Sequence, residues 1–138
     1  MIFIDTNFFL RYFLDDVNSQ SEEAKDLFLR ASDGEFKLFT STIVLFEVYW
    51  VLLGQFKKNK QKIGNVMDKL LSMKFIDIEN SDLLEKAMVY YKTTNLGLVD
   101  VYNIVYSRSK NAREFKTFDK DLIKKLLKNK ESEKKREK

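Results

Sequence analysis

The chain of 138 residues contains neither cysteine nor histidine. Without cysteine it can form no disulfide framework and no thiolate metal site, which is compatible with a reducing compartment such as the cytosol. Without histidine it can form no Ser-His-Asp or Cys-His nucleophile system, no histidine general base and hardly any type of zinc site. Carboxylates are the common side chains that remain for acid–base or metal chemistry. Any catalysis by this chain should therefore depend on carboxylates.

Long apolar runs are also missing, and the first residues do not show a positive segment followed by an apolar one. We therefore expect a soluble, cytoplasmic protein without a signal peptide or a membrane span. Hydrophobic residues make up 44% of the chain and aromatic residues 14%. This composition suits one compact domain with a core of its own.

Positive charge is concentrated at the carboxyl end of the chain. The net charge is +4, but residues 120–138 hold 9 Lys or Arg against 4 Asp or Glu, which leaves 16 against 17 in residues 1–119. Residues 129–138 contain no apolar side chain. We therefore predict a folded domain over residues 1–128 and a charged, flexible tail over residues 129–138.

Short apolar segments that alternate with helical patterns predict a parallel α/β fold. Segments with the length and composition of strands lie at residues 2–5, 36–40, 75–78 and 114–118. Apolar residues between and after them recur at helical spacing and predict helices near 7–15, 19–33, 43–53, 63–71, 81–92, 98–107 and 122–127. Strands separated by helices form βα units, so we predict a parallel sheet with helices on both faces.

Two acidic residues each end a predicted strand. Asp5 follows the first, which reads as fully buried, and Asp119 follows the strand at 114–118. Ligands of open α/β sheets bind beyond the carboxyl ends of the strands, so both acids lie where chemistry usually takes place. Alternatively, Asp5 is only the cap of the next helix, a role that Thr6 or Asn7 would otherwise fill.

Two further acidic residues are the only charges in apolar helices. Glu47 lies within residues 43–53, which are apolar on every side and therefore predict a buried helix. A buried carboxylate needs a compensating partner or a wet cleft, so Glu47 either faces such a cleft or forms an ordinary ion pair, for example with Lys37 or Arg11. Asp100 is in the same situation, with an early-turn helix cap as the alternative.

A shared cleft would explain all four acids together. Carboxylates within ~4 Å repel each other by about 1 kcal/mol in water and by several times that inside a protein, so a cluster needs protons or a cation. Oxygen ligands alone select Mg²⁺ or Mn²⁺, which can activate water for displacement at phosphorus. Residues that would then orient the acids or a substrate are Thr6, Asn7, Asn103 and Thr117.

The ordered motifs resemble those of the PIN-domain ribonucleases, and the length resembles that of the VapC-type toxins of toxin–antitoxin pairs. The motifs cover residues 1 to about 127 and are Ile4-Asp5-Thr6-Asn7, Glu47 within a helix, Val99-Asp100-Val101-Tyr102 with Asn103, and Thr117-Phe118-Asp119-Lys120-Asp121. The resemblance implies a three-layer α/β/α sandwich whose central parallel sheet has four or five strands. It also implies an RNA substrate, a homodimer, a small antitoxin that inserts into the active-site groove, and a Mg²⁺ or Mn²⁺ site formed by Asp5, Glu47, Asp100 and Asp119.

The leading hypothesis is thus a metal-dependent endoribonuclease that acts as the toxin of a type II toxin–antitoxin system. One alternative is a non-catalytic domain of the same scaffold that binds RNA or a partner, and another is an RNA-processing nuclease that is not a toxin. A phosphoaspartyl enzyme fits less well, because the haloacid-dehalogenase type expects a second aspartate where Asn7 stands. Candidate phosphate contacts are Lys57 to Lys62, Arg108 to Lys116 and the tail lysines.

Overall fold

In the computed structural model, which describes residues 1–125, short parallel strands alternate with longer helices. The elements are β1 (Ile2–Phe3), α1 (Thr6–Leu14), α2 (Asn18–Ser32), β2 (Leu38–Thr40), α3 (Thr42–Gln55), α4 (Lys60–Leu71), β3 (Ile76–Ile78), α5 (Ser81–Thr93) and α6 (Leu98–Ser109). A further helical stretch begins at residue 120 and is described to residue 125. The predicted tail at 129–138 lies outside the described residues. Within residues 1–125, no helix combines the length and the apolar character that crossing a bilayer requires.

The sheet confirms the predicted parallel α/β architecture, but with fewer strands in the described chain than predicted. Its three strands lie in the order β1-β2-β3, and all pairs are parallel, with Ile2 opposite Leu38 and Leu38 opposite Ile76. The prediction of four or five strands is not confirmed. β1 is therefore an edge strand, and Ile2 and Phe3 are 37% and 47% exposed. The prediction that the first strand is buried on both faces was wrong for these residues.

The segment 114–118, predicted as a fourth strand, has no regular structure in the described chain. Lys116 and Glu114 pair locally, with 2.9 Å between Nζ and Oε2, and the Phe118 side chain is fully exposed. Phe118 is thus not buried against the sheet, whereas Phe115 is partly buried against the core.

An aromatic cluster joins α1 to α2. The ring of Phe28 in α2 lies 5.9, 5.8 and 4.9 Å from the rings of Phe8, Phe9 and Tyr12 in α1. Phe9 and Phe28 are almost completely buried. Such clusters combine a large buried apolar area with favourable tilted ring geometry. The first helix is thereby fixed on the second, and its amino terminus is held at the end of β1.

One face of α3 is exposed, in contrast to the predicted buried helix. The exposed fractions of Ile43, Trp50 and Val51 are 55%, 48% and 43%, and Glu47 lies exposed on the same side. The opposite side of α3 forms part of the core. The composition of the segment indicated burial all round, but a chain of this size leaves some apolar side chains uncovered.

Lys60 and Tyr49 fix the position of α6. The ammonium group of Lys60 donates to the carbonyl oxygens of Tyr91, Thr94 and Leu96 at 2.9, 2.9 and 2.5 Å, and burial lowers the pKa of Lys60. The backbone N–H of Leu98, the first residue of α6, donates to the hydroxyl oxygen of Tyr49 in α3 at 3.3 Å. The α5–α6 connection is therefore tied to both α4 and α3.

Candidate active site

Thr6 joins two of the four predicted acids. Asp5 is the N-cap of α1, and its Oδ1 accepts from the backbone N–H of Thr6 at 2.8 Å. The hydroxyl group of Thr6 donates to Oε2 of Glu47, in the middle of α3, at 2.7 Å. Thr6 itself is only 7% exposed. A single buried threonine thus donates hydrogen bonds to carboxylates from two distant parts of the sequence.

The backbone before Asp5 is fixed by a buried hydroxyl. Thr40, at the end of β2, is 3% exposed and donates from Oγ1 to the carbonyl oxygen of Ile4 at 2.7 Å. The backbone N–H of Ile4 donates to the carbonyl oxygen of Phe39 at 2.9 Å. These two bonds extend the pairing of β1 with β2 up to the residue before Asp5, so the sheet sets the position of this carboxylate.

Neither carboxylate is neutralised by a cation within residues 1–125. The alternative that Glu47 forms an ion pair with Lys37 or Arg11 is excluded there, because Arg11 pairs with Asp16 at 2.7 Å and no described basic group lies within ion-pair distance of Glu47. Oδ2 of Asp5 and Oε1 of Glu47 have no described hydrogen-bond partner. One oxygen of each acid is therefore available to a ligand.

Asp100 lies in the first turn of α6, a helix that contacts α3 through Leu98 and Tyr102. Leu98 is bonded to Tyr49 of α3, and the ring of Tyr102 packs edge-on against that of Phe46, with 5.1 Å between centroids. Asp100 lies between these two contacts along the chain, is half-buried, and has no described hydrogen-bond or ion-pair partner. The first turns of α6 therefore run along the part of α3 that carries Glu47.

The structure gives Asp119 a local role. Its Oδ1 accepts from the backbone N–H of Leu122 at 3.1 Å, as an N-cap of the last described helical stretch does, and its own N–H donates to Oγ1 of Thr117 at 3.1 Å. Asp119 is exposed, and no described contact links it to the other three acids. For Asp119, helix capping is thus directly observed, as it is for Asp5.

The remaining predicted residues differ in their surroundings. Asn7 in α1 and Asn103 in α6 are both exposed, and Asn103 follows Asp100 by three residues, which places the two on one side of the helix. Among the candidate phosphate contacts from Lys57 to Lys62, Lys57 and Lys62 are exposed. Lys60 is directed inward to backbone carbonyl groups, so it is not a phosphate contact.

The ligand chemistry of Asp5 and Glu47 fits a hard divalent cation, because both offer an unpaired carboxylate oxygen. Within the described residues, however, no three acidic side chains lie close enough together to form a metal-binding group. The predicted set of four is thus represented by one joined pair, by Asp100 on a neighbouring helix turn, and by Asp119 apart from them.

A cavity between α1 and α2 was not predicted. It has a volume of about 350 Å³ and is lined by Asn7, Phe8, Arg11, Gln20 and Glu23. The sequence did contain a signal for each wall of the cavity. Asn7 and Arg11 are four residues apart and share a face of α1, and Gln20 and Glu23 are three residues apart and share a face of α2. What the sequence did not reveal is that these two faces meet.

The comparison with protein families gives one match, in which the family model of the PIN domain covers residues 2–126. No curated protein and no solved structure matched the chain. The matched span includes the elements that carry Asp5, Glu47 and Asp100, as well as Asp119.

Proposed function

The chain belongs to the PIN domain family, which has a nuclease-type fold, and from this premise we propose that it is a divalent-metal-dependent endoribonuclease that hydrolyses phosphodiester bonds of RNA. The observation that carries the proposal is the bonding of Asp5 and Glu47 to the same threonine without a neutralising cation among the described residues. Two adjacent carboxylates repel each other unless protons or a cation intervene. A Mg²⁺ or Mn²⁺ ion would relieve that repulsion.

In this proposal Asp5, Glu47, Asp100 and Asp119 are the catalytic and metal-binding residues. The bound ion would supply an activated water molecule and would stabilise negative charge during displacement at phosphorus. Thr6 holds one oxygen of Asp5 and one of Glu47, which fixes the direction of the two remaining oxygens. Residues that orient the acids or the RNA are Thr6, Asn7, Asn103 and Thr117.

We further propose that the protein is the toxin of a type II toxin–antitoxin system, acting in the cytoplasm as a homodimer that a small antitoxin blocks. Support for self-association comes from Trp50 and Val51, which lie one helical turn beyond Glu47 on the exposed face of α3, and from Tyr106 in α6; these side chains are 48%, 43% and 44% exposed. Exposed apolar patches of this kind commonly mark protein–protein interfaces.

The central experiment replaces Asp5 by serine and, separately, by alanine. Serine retains the N-cap, whereas alanine removes it at a cost of about 1 kcal/mol. Both variants lack the carboxylate. Purified wild-type protein and variants are incubated with total RNA and Mn²⁺ or Mg²⁺, with and without EDTA, and the cleaved ends are mapped. We expect wild-type cleavage that EDTA abolishes, and D5S that is as stable as the wild type but inactive.

A second carboxylate, Asp100, is tested in parallel as D100N, which we also expect to be inactive and folded. Metal-dependent cleavage that persists in D5S and D100N would refute the proposal and would leave Asp5 with capping as its role. RNA binding without cleavage, independent of Mg²⁺ and unchanged in D119N, would instead support a non-catalytic RNA-binding domain.

The toxin role is tested by expression in a host cell. We expect the wild-type protein to arrest growth and D5S not to do so. Co-expression of the small reading frame beside this gene should restore growth if that frame encodes the antitoxin. Cleavage in vitro without growth arrest would support an RNA-processing nuclease that is not a toxin.

A further inference from the structure

The cavity between α1 and α2 is open to solvent and brings one aromatic and four polar side chains to one space. Its walls are an aromatic ring from Phe8, the amides of Asn7 and Gln20, the guanidinium group of Arg11 and the carboxylate of Glu23. Its volume of about 350 Å³ lies within the range of small-molecule pockets, which begins near ~300 Å³. Pockets for small ligands combine apolar or aromatic walls with a few polar groups that fix the orientation of the ligand.

Arg11 is held in place on three sides. Its Nε donates to Oε1 of Gln20 at 2.8 Å and its Nη1 donates to Oδ1 of Asp16 at 2.7 Å. Its backbone carbonyl oxygen accepts from the hydroxyl group of Ser21, which is completely buried, at 2.8 Å. These bonds use two of the five N–H groups that a guanidinium offers. The others have no described partner and remain available to a ligand.

Glu23 and Arg11 line the same cavity but do not form an ion pair. Their charged groups are not within ion-pair distance, and Glu23 has no described hydrogen-bond partner. A carboxylate and a guanidinium that face one space without contact leave room for a group that donates on one edge and accepts on the other.

We propose that this cavity binds a guanine base of the RNA substrate, an inference that rests on the proposed function. Guanine alone among the four bases carries two adjacent N–H donors, N1–H and N2–H, that match both oxygens of one carboxylate. Its opposite edge carries the acceptors O6 and N7, which a guanidinium binds bidentately. Glu23 recognises the donor edge, Arg11 recognises the acceptor edge, and the Phe8 ring stacks on the base.

Part of the cavity wall belongs to α1, the helix that Asp5 caps. Asn7 belongs to its wall and is two residues from Asp5, and Arg11 follows Asn7 by one helical turn. The six steps from Asp5 to Arg11 span about 9 Å along the axis of α1. A single RNA strand covers that distance within a few nucleotides. The pocket would thus read one base at a fixed number of positions from the scissile phosphate.

The test compares E23Q with the matched control E22Q, because Glu22 is the neighbouring exposed acid and does not line the cavity. A pool of single-stranded RNA of random sequence is cleaved in Mn²⁺, and the ends are sequenced. We expect the wild type and E22Q to enrich guanine at one position, by about five-fold or more. E23Q should lose this enrichment. Enrichment that persists in E23Q, or none in the wild type, would overturn the proposal.

Binding of the mononucleotide separates this proposal from the nuclease activity, which can fail independently. GMP, AMP, CMP and UMP are titrated into the wild type and E23Q while the side-chain amide signals of Asn7 and Gln20 are followed by NMR. We expect GMP to shift both signals at the lowest concentration, and E23Q to lose that preference. Equal responses to all four nucleotides would overturn the proposal. So would shifts that appear only with an arginine-containing peptide, because the cavity would then be a protein-binding site.

Discussion

Replacing Lys60 by methionine should destabilise the protein, whereas the same replacement at Lys62 should not. Both lysines lie in the first turn of α4. The ammonium group of Lys60 donates to three carbonyl oxygens at the carboxyl end of α5 and in the following loop, and it lies 4.0 Å from the centre of the Tyr91 ring. Lys62 is exposed. Methionine retains the apolar stem of lysine and removes only the charge and the donors.

The size of the effect follows from the contacts that K60M removes. Hydrogen bonds to a charged group contribute about 1.5–3 kcal/mol each. The three bonds share one ammonium group, and water can reach some of the freed carbonyl oxygens, so the sum is not additive. We expect a loss of about 3 kcal/mol in the free energy of unfolding, which corresponds to a decrease of roughly 10 °C in Tm for a domain of this size.

The measurement is thermal and urea denaturation of the wild type, K60M and K62M, followed by circular dichroism. K60M should also cleave RNA more slowly, because the loop that it anchors sets the start of α6 and hence the position of Asp100. K62M should keep the Tm of the wild type. If Lys62 contacts a phosphate, the magnitude of the slope of log K against log salt concentration, where K is the association constant for RNA, should be smaller by about 1 in K62M. A K60M protein within about 1 kcal/mol of the wild type would refute the reasoning, because water alone would then satisfy the three carbonyl groups.

Three further outcomes are expected. T6V removes the hydroxyl bond to Glu47, so it should lower the free energy of unfolding by about 1 kcal/mol and cleavage by roughly ten-fold or more; unchanged cleavage would show that the bond does not orient Glu47. The backbone N–H of Thr42 donates to Glu79 and lowers the pKa of that carboxyl group. The stabilisation by this bond is therefore present above the ordinary pKa of a glutamate and is lost as the pH falls through the lowered pKa of Glu79. The Tm difference between wild type and E79Q should be larger at pH 7 than at pH 3, and an equal difference would contradict this. W50E should give a monomer in sedimentation with the wild-type circular dichroism spectrum, and a dimer would exclude this face as the interface.

The helices could be predicted well from the sequence because their signal is local. In the helix predicted near 63–71, the apolar residues Ile63, Met67 and Leu70 recur at helical spacing and are completely buried, since side chains three and four residues apart face the same way in any helix. The strand predicted at 114–118 could not be established from such a local pattern. A strand also needs a neighbour and a buried face, and the apolar side chain of Phe118 finds neither in the described chain.

The candidate site could be predicted only in part, for the same reason. The sequence indicated that Asp5 ends a strand and that Glu47 is the only acid of its helix, because both are local facts. It did not indicate that Thr6 would join them, because that contact depends on how α1 packs on α3. It also overestimated the burial of α3, because composition does not specify which elements cover a helix.

Capping and metal binding are compatible roles for Asp5, which explains why the local pattern alone could not separate them. A carboxylate at the start of a helix is stabilised by the positive end of the helix dipole, and one of its oxygens is sufficient to accept from the backbone of Thr6. The hydroxyl group of Thr6 occupies one oxygen of Glu47 in the same way. The two oxygens that remain carry negative charge without a described partner, so the interaction that orders the helix also prepares the place where a hard cation would bind.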